Sequence, residues 1–278
     1  DPCIPCPTNA SHRAKSSSCT TSARANPTAS KPSSSACVRI LSLDVSCMIT
    51  AGGWCDSCHT RAVRTTLDAL MDGTVVLEQP APGEGYRFNV DAPLLARFAV
   101  ADHKPIAHLI DLGAGVGAVA LCAARMAPVH RATLVEVDPE VCAIARANVE
   151  RAALTERVSV VTSDVADVRA ADVGLADLIV VNPPYAEPGA GRPSPVRGRD
   201  RARRGSLEPF VRACAGLLET AGRACFCHPV TTFVGLLAAA RASGLHARRA
   251  QLVFPAMGRP ARIVLVELRR QDGDLLLE

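Results

Sequence analysis

Apolar positions recur with a regular period only from about residue 71 onward. Before it, stretches such as Ser16-Ser17-Ser18 and Lys31-Pro32-Ser33-Ser34-Ser35 show neither the 3.6-residue period of a helix nor the two-residue period of a strand. Residues 1–70 therefore read as a low-complexity extension, and 71–278 as the folded domain. The chain opens with Asp1, and its first methionines are Met48 and Met71, so the native start is expected near Met71.

Within 71–278, short β-branched runs alternate with longer helical ones. The pattern predicts strands over 74–79, 109–112, 133–137, 158–162, 178–181, 223–227, 246–254 and 262–269. Helices are expected over 117–127, 138–153, 207–218 and 231–242. The first of these is apolar all round and must be buried against a sheet. The second has Asp138 as a cap, Pro139 at the first helical position and Glu140 in the first turn. It places Val141, Ile144, Ala145, Val149 and Ala152 on one face.

Strands and helices alternating at this spacing call for a mostly parallel sheet covered on both faces. The last two strands are joined by Pro255-Ala256-Met257-Gly258-Arg259-Pro260 with no helix, so they should pair antiparallel. The expected fold is an α/β, Rossmann-like, doubly wound seven-stranded sheet, mostly parallel, with an antiparallel C-terminal hairpin.

Composition narrows the function. In 278 residues the hydrophobic fraction is 48% and the charged fraction 21%, which excludes wholesale disorder. No run of about 18 apolar residues occurs, so no spanning helix and no membrane partner are expected, and the protein reads as cytoplasmic. A formal charge of +4 is too small for a wholly basic nucleic-acid binder; any such surface must be local. Seven of the twelve cysteines lie at or before Cys58. Cys3-Ile4-Pro5-Cys6 and Cys55-Asp56-Ser57-Cys58 are 48 residues apart, beyond ordinary zinc-ribbon spacing, so no metal is expected. Cys55 to His59 also spells the C-x-x-C-H of haem attachment, but without the export signal that chemistry needs. A cysteine-rich metal- or haem-binding protein is the non-enzyme alternative, and it concerns only this first segment.

Asp111-Leu112-Gly113-Ala114-Gly115-Val116-Gly117-Ala118 lies between an expected strand and helix, where glycines let the backbone turn and approach a ligand. Gly113, Gly115 and Ala118 satisfy G-x-G-x-x-A, with Glu136 about twenty residues on, so a dinucleotide and a nucleoside methyl donor both fit. Asp111 favours the methyl donor: an anion there suits the ammonium of S-adenosylmethionine and would repel a pyrophosphate. Glu136 can accept hydrogen bonds from ribose hydroxyls. Asp164 is placed to meet the adenine edge, with a helix cap as its alternative role.

Asn182-Pro183-Pro184-Tyr185 closes the fourth parallel strand, at the edge where open α/β sheets bind ligands. An amino group conjugated to a ring or carbonyl is a poor nucleophile. Accepting its hydrogens on the Asn182 amide oxygen and the Pro183 carbonyl would turn its lone pair toward a methyl cation equivalent. Tyr185 offers a flat face for a planar substrate. In-line methyl transfer of this kind requires no metal.

These residues resemble the motifs of class I S-adenosylmethionine-dependent amino-methyltransferases. Gln79-Pro80, the run from Gly85-Tyr86-Arg87-Phe88-Asn89 through Leu95, Arg201-Ala202-Arg203-Arg204-Gly205-Ser206-Leu207 and Pro260-Ala261-Arg262-Ile263-Val264 are similar to the bacterial valine-tRNA adenine-37 N6-methyltransferase family. The resemblance covers roughly 71–270. It implies that Asn182 to Tyr185 hold the adenine N6 amine, and that Asp111, Gly113, Ala114, Gly115, Gly117, Glu136, Asp164 and Asn182 line the cofactor site. The chain departs from the family at Ala186, where an aromatic residue often follows, which leaves base stacking to Tyr185.

Between Glu187 and Gly205, six arginines face two acids. Arg197, Arg199, Arg201, Arg203 and Arg204 are the candidate RNA contacts, beside the catalytic tetrapeptide. The leading expectation is adenine-N6 methylation of RNA, most simply tRNA. Glutamine-N5 methylation of a protein and guanine-N2 methylation of ribosomal RNA use the same tetrapeptide chemistry and remain alternatives.

Overall fold

The computed structural model describes residues 63–183 and 206–278. A hairpin comes first: β1 (Thr65–Leu70) pairs antiparallel with β2 (Val75–Pro80), Leu70 facing Val75. Met71, Asp72 and Gly73 form its turn with φ of 52°, 54° and 84°, so Met71 sits inside a folded element. The sequence pattern misses β1. Its burial alternates only weakly, and it is held by groups distant in the chain: the Arg87 guanidinium donates to Thr66, to Asp68 and to the Pro80 carbonyl.

The sheet proper contains β3 (Ile106–Leu112), β4 (Val129–Glu136), β5 (Val158–Thr162), β6 (Ala176–Val181), β7 (Leu218–Pro229), β8 (His246–Val253), β9 (Ile263–Arg269) and the two-residue β10 (Leu276–Leu277). Their order is β10-β8-β9-β7-β6-β3-β4-β5. The expected seven strands are thus joined by a short eighth, β10, which pairs parallel with β8. β9 runs antiparallel to both neighbours, β7 and β8, as expected of the last pair, but it inserts between them.

Among the described residues, six helices cover the sheet: α1 (Asp91–Ala99), α2 (Ala118–Met126), α3 (Pro139–Arg151), the single-turn α4 (Ala170–Val173), α5 (Glu208–Leu217) and α6 (Phe233–Ala242). Successive strand residues feed two different cores. Leu109, Leu178, Val180 and Cys225 pack with α1, α2 and α3. Ile110, Ile179, Val181 and Phe226 pack with α5 and α6 on the other face. The sheet is therefore doubly wound. α1 is absent from the periodicity reading because Pro93 resembles a breaker; in the first turn of a helix its missing N–H has no partner to lose. In α3, Asp138 caps as expected, accepting from the Glu140 N–H at 2.9 Å. Its buried face differs from the expected one: Cys142 and Asn148 are buried, whereas Ala152 is exposed.

Candidate active site

Four parallel strands end side by side at one edge of the sheet, and their exits carry the residues singled out above. Leu112, the last residue of β3, pairs with Val135 on β4 and with Val181 on β6. The glycine loop therefore emerges with Glu136 on one flank and Asn182 on the other. Glu136 pairs with Thr162, which sets Asp164 two residues beyond β5 at the same edge. Strand order reverses between β3 and β6, the switch point where open α/β sheets bind ligands.

The loop's shape depends on its glycines. Gly113, Gly115 and Gly117 have φ of 70°, 55° and 85°, a region that side chains disfavour. The N–H groups of Gly113 and Ala114 both donate to the Val135 carbonyl at 2.9 Å, binding the loop to β4. A Cβ on Gly117 would lie 2.7 Å from Leu134 Cδ2, so the missing side chain lets α2 approach β4. A Cβ on Gly115 would meet nothing within 4 Å. Open space thus lies over the middle of the loop, while its ends are packed.

Two carboxylates shape this loop. Glu136 Oε2 accepts from the Gly115 N–H at 2.9 Å, and Oε1 from the N–H groups of Val137 at 2.9 Å and Asp138 at 3.0 Å. Each carboxylate oxygen has two lone pairs, so Oε2 keeps one acceptor position. Asp111 is 1% exposed and its Oδ2 accepts from the Ala120 N–H at 3.1 Å. Gly117, the N-cap of α2, has no side chain to offer, so Asp111 supplies the acceptor at that helix end. Burial pushes its carboxyl up to about 7; the Ala120 N–H opposes the rise and the Glu136 charge adds to it.

Asp164 is exposed, and its Oδ1 accepts from the Ala166 N–H at 2.9 Å. It fixes a turn and caps no helix, since α4 starts only at Ala170. Asn182 is half-buried and Pro183 buried at the end of β6. Pro184, Tyr185, Arg197, Arg199, Arg201, Arg203 and Arg204 lie outside the described residues, as do the early cysteine pairs. Among the described residues no cluster of three or more His, Cys, Asp or Glu could hold a metal, and no helix is long and apolar enough to cross a membrane.

The structure adds two residues that the sequence pattern did not single out. Asn148 on α3 is fully buried. Its Oδ1 accepts from the Glu78 N–H at 2.6 Å, and its Nδ2 donates to the carbonyls of Glu78 at 2.8 Å and Val116 at 3.0 Å. One side chain thus ties β2 to the glycine loop. Its only sequence signal is a polar residue on an apolar helix face. Phe210 on α5 reaches the other side of the loop, with Cε1 3.0 Å from where a Gly113 Cβ would stand. No sequence signal links it to the site, since the contact spans about a third of the chain.

Residues 92–196 match the Methyltransferase small domain family. The tRNA1(Val) (adenine(37)-N6)-methyltransferase of Erwinia tasmaniensis is 32% identical over 194 residues, covering 69% of this chain and 78% of the relative. Its namesake from Shewanella amazonensis is 31% identical over 197 residues, covering 69% and 82%. The chain belongs to the tRNA1(Val) (adenine(37)-N6)-methyltransferase family. As a member it is an S-adenosylmethionine-dependent N-methyltransferase. The methyltransferase also shares its fold with a predicted O-methyltransferase from Agrobacterium tumefaciens (TM-score 0.52, 24% identity, 68% of this chain and 84% of that one). A second fold relative is Trm5b from Pyrococcus abyssi (TM-score 0.54, 12% identity, 75% and 56%). The open space at Gly115, the remaining lone pair on Glu136 Oε2 and the buried carboxyl of Asp111, ionisable near neutral pH, fit a cationic nucleoside donor with ribose hydroxyls.

Proposed function

We propose that this methyltransferase methylates the N6 amine of adenine in tRNA, with Asn182-Pro183-Pro184-Tyr185 as the acceptor site. The observation that carries the reading is the adjacency of Asn182 to the glycine loop, one step beyond the Leu112–Val181 pair. S-Adenosylmethionine supplies an electrophilic methyl on a sulfonium. Gly113, Ala114, Gly115 and Gly117 make room for it, Glu136 Oε2 accepts from a ribose hydroxyl, and Asp164 meets the adenine edge. Asp111, beneath the loop, provides the compensating negative charge.

On the acceptor side, the Asn182 amide oxygen and the Pro183 carbonyl take the two amine hydrogens. Both protein groups are acceptors, so they orient the nitrogen lone pair away from themselves and toward the donor side. Tyr185 stacks on the base, and the arginines of 192–204 hold backbone phosphates. The names of the relatives support tRNA over a protein glutamine, and the six-arginine segment suits a polyanion.

The test is methyl transfer from deuterated S-adenosylmethionine to an unmodified valine-tRNA transcript, followed by nucleoside mass spectrometry. Labelled N6-methyladenosine is expected. Label confined to protein glutamine or to guanosine would overturn the reading.

A further inference from the structure

A cavity of about 450 Å³ opens where β7, β8 and β9 meet the end of α1, and it is built from arginines. Arg223 on β7, Arg248 and Arg249 on β8 and Arg269 on β9 line it, with Glu267 and Asp102 the acids among its lining residues. Two positive charges remain after those acids are matched. Arg223 and Arg249 keep only 14% and 22% of their side-chain surface, so the surplus sits in a partly desolvated site where like charges repel strongly.

Helix capping explains part of this cluster. Arg223 donates to the Ala99 carbonyl and Arg249 to the Phe98 carbonyl, both at the end of α1. Arg248 donates to the carbonyls of Gln271, Asp272 and Asp274, but capping leaves much donor capacity of the other three unused. Among the described residues, no protein acceptor meets Nη1 of Arg223, Nη1 of Arg249 or either Nη of Arg269. The Arg249 Nε is buried without a partner. These forks are also held in place: Arg249 lies 4.0 Å over the Phe98 ring, and Arg269 Nε donates to Glu267 at 2.7 Å. The β8–β9 register shifts between Ala247 and Arg249, which lets the adjacent Arg248 and Arg249 line one cavity where a regular strand would point them to opposite faces.

Unused guanidinium forks, pre-oriented around a cavity with surplus positive charge, match the oxygens of a phosphodiester. We infer that this pocket is a second phosphate site, taking backbone phosphates of the RNA substrate away from the methylated base; the inference rests on the RNA reading above. Arg249 pairs with Glu267, Glu267 with Cys225, Cys225 with Val180 and Val180 with Asp111, so the pocket lies level with the donor site but four strand spacings from β3, about 20 Å across the sheet at about 4.8 Å per strand. Only a substrate larger than a nucleotide engages both sites.

The test uses the full chain and the valine-tRNA transcript, with Arg269→Gln as the variant because Arg223 and Arg249 also cap α1 and Arg248 holds the 271–274 backbone. Filter binding across 50–300 mM salt should show about tenfold weaker RNA binding at 0.1 M. The slope of log affinity against log salt should be shallower by about 0.7–0.9 per lost phosphate contact. Affinity for S-adenosylmethionine and the melting temperature should stay at wild-type values, and Arg269→Lys should recover most of the slope. Equal RNA affinity and slope in wild type and Arg269→Gln would overturn the inference, as would parallel loss of cofactor binding, which marks a structural role. Wild-type protein that binds the transcript but leaves it unmethylated would instead count against the adenine-N6 reading, and the slopes would still decide the pocket.

Discussion

At the residue scale, glycines two positions apart in one loop do different work. Gly117→Ala must place a Cβ against Leu134 at a positive φ, so it should destabilise the fold by about 1–3 kcal/mol. Gly115→Ala meets open space but keeps a positive φ, so it should cost about 1–2 kcal/mol of stability, and it should weaken S-adenosylmethionine tenfold or more by filling the space the donor needs. Urea unfolding and calorimetry on the two variants separate these effects; equal cofactor affinity in Gly115→Ala would remove the loop centre from the site. Asp111 makes a pH prediction. Its folded carboxyl titrates near 7, above the ordinary carboxylate range, so the folded state holds a proton that the unfolded chain has already released. Stability contributed by this group is full at low pH and falls as pH climbs toward and through 7. Asp111→Asn keeps an acceptor for Ala120 and removes the charge. Its melting temperature should gain on wild type as pH rises from 5 to 8, and a constant gap would refute the assignment. A cationic donor stabilises the ionised carboxylate, so cofactor binding near pH 6.5 should release a proton, measurable by calorimetry in buffers of different ionisation enthalpy.

At the element scale, the N-terminal hairpin reaches the active-site loop through one side chain. Replacing Asn148 with Leu leaves the Glu78 N–H and the Val116 carbonyl buried without their partner, at about 1–3 kcal/mol each. Hydrogen exchange should rise in Thr65–Pro80 and in the glycine loop together, with β5 unaffected; unchanged protection of the hairpin would show that packing alone holds it. The central β-α-β pattern was legible because each element carries its own signal. β5 matches its expected bounds of 158–162, and α2 lies within the expected 117–127. β1 and α1 carry weak local signals. They exist because Arg87, Gln79 and the α1–α2 contact stabilise them from outside, and periodicity does not register such contacts.

At the scale of the whole molecule, charge and thiol reactivity can be checked directly. Cys122, Cys142, Cys214, Cys225 and Cys227 are buried, and burial pushes the Cys122 and Cys225 thiols up to about 12. Iodoacetamide followed by peptide mapping should leave these five unmodified in the native protein and label them in urea; rapid native labelling of any one would contradict the packing. Replacing Arg197, Arg199, Arg201, Arg203 and Arg204 by Ala should flatten the salt dependence of tRNA binding, by about 0.7 per lost contact to single strand, with S-adenosylmethionine affinity intact. An unchanged salt slope would remove that segment from recognition.

The sequence by itself determined the doubly wound class, the glycine loop, its flanking acid and the tetrapeptide, because strand and helix periods and turn chemistry are local properties. Pairing was another matter. That β9 inserts between β7 and β8, that Asp111 turns inward to cap α2, and that Asn148 joins β2 to the loop were decided by the tertiary structure. A buried carboxylate and an exposed one look identical in a sequence. Only burial and the available donors decide which becomes a ligand contact and which an internal strut. The arginine pocket shows the same division: its four residues lie up to 46 positions apart, on three strands, and only the sheet order makes them neighbours.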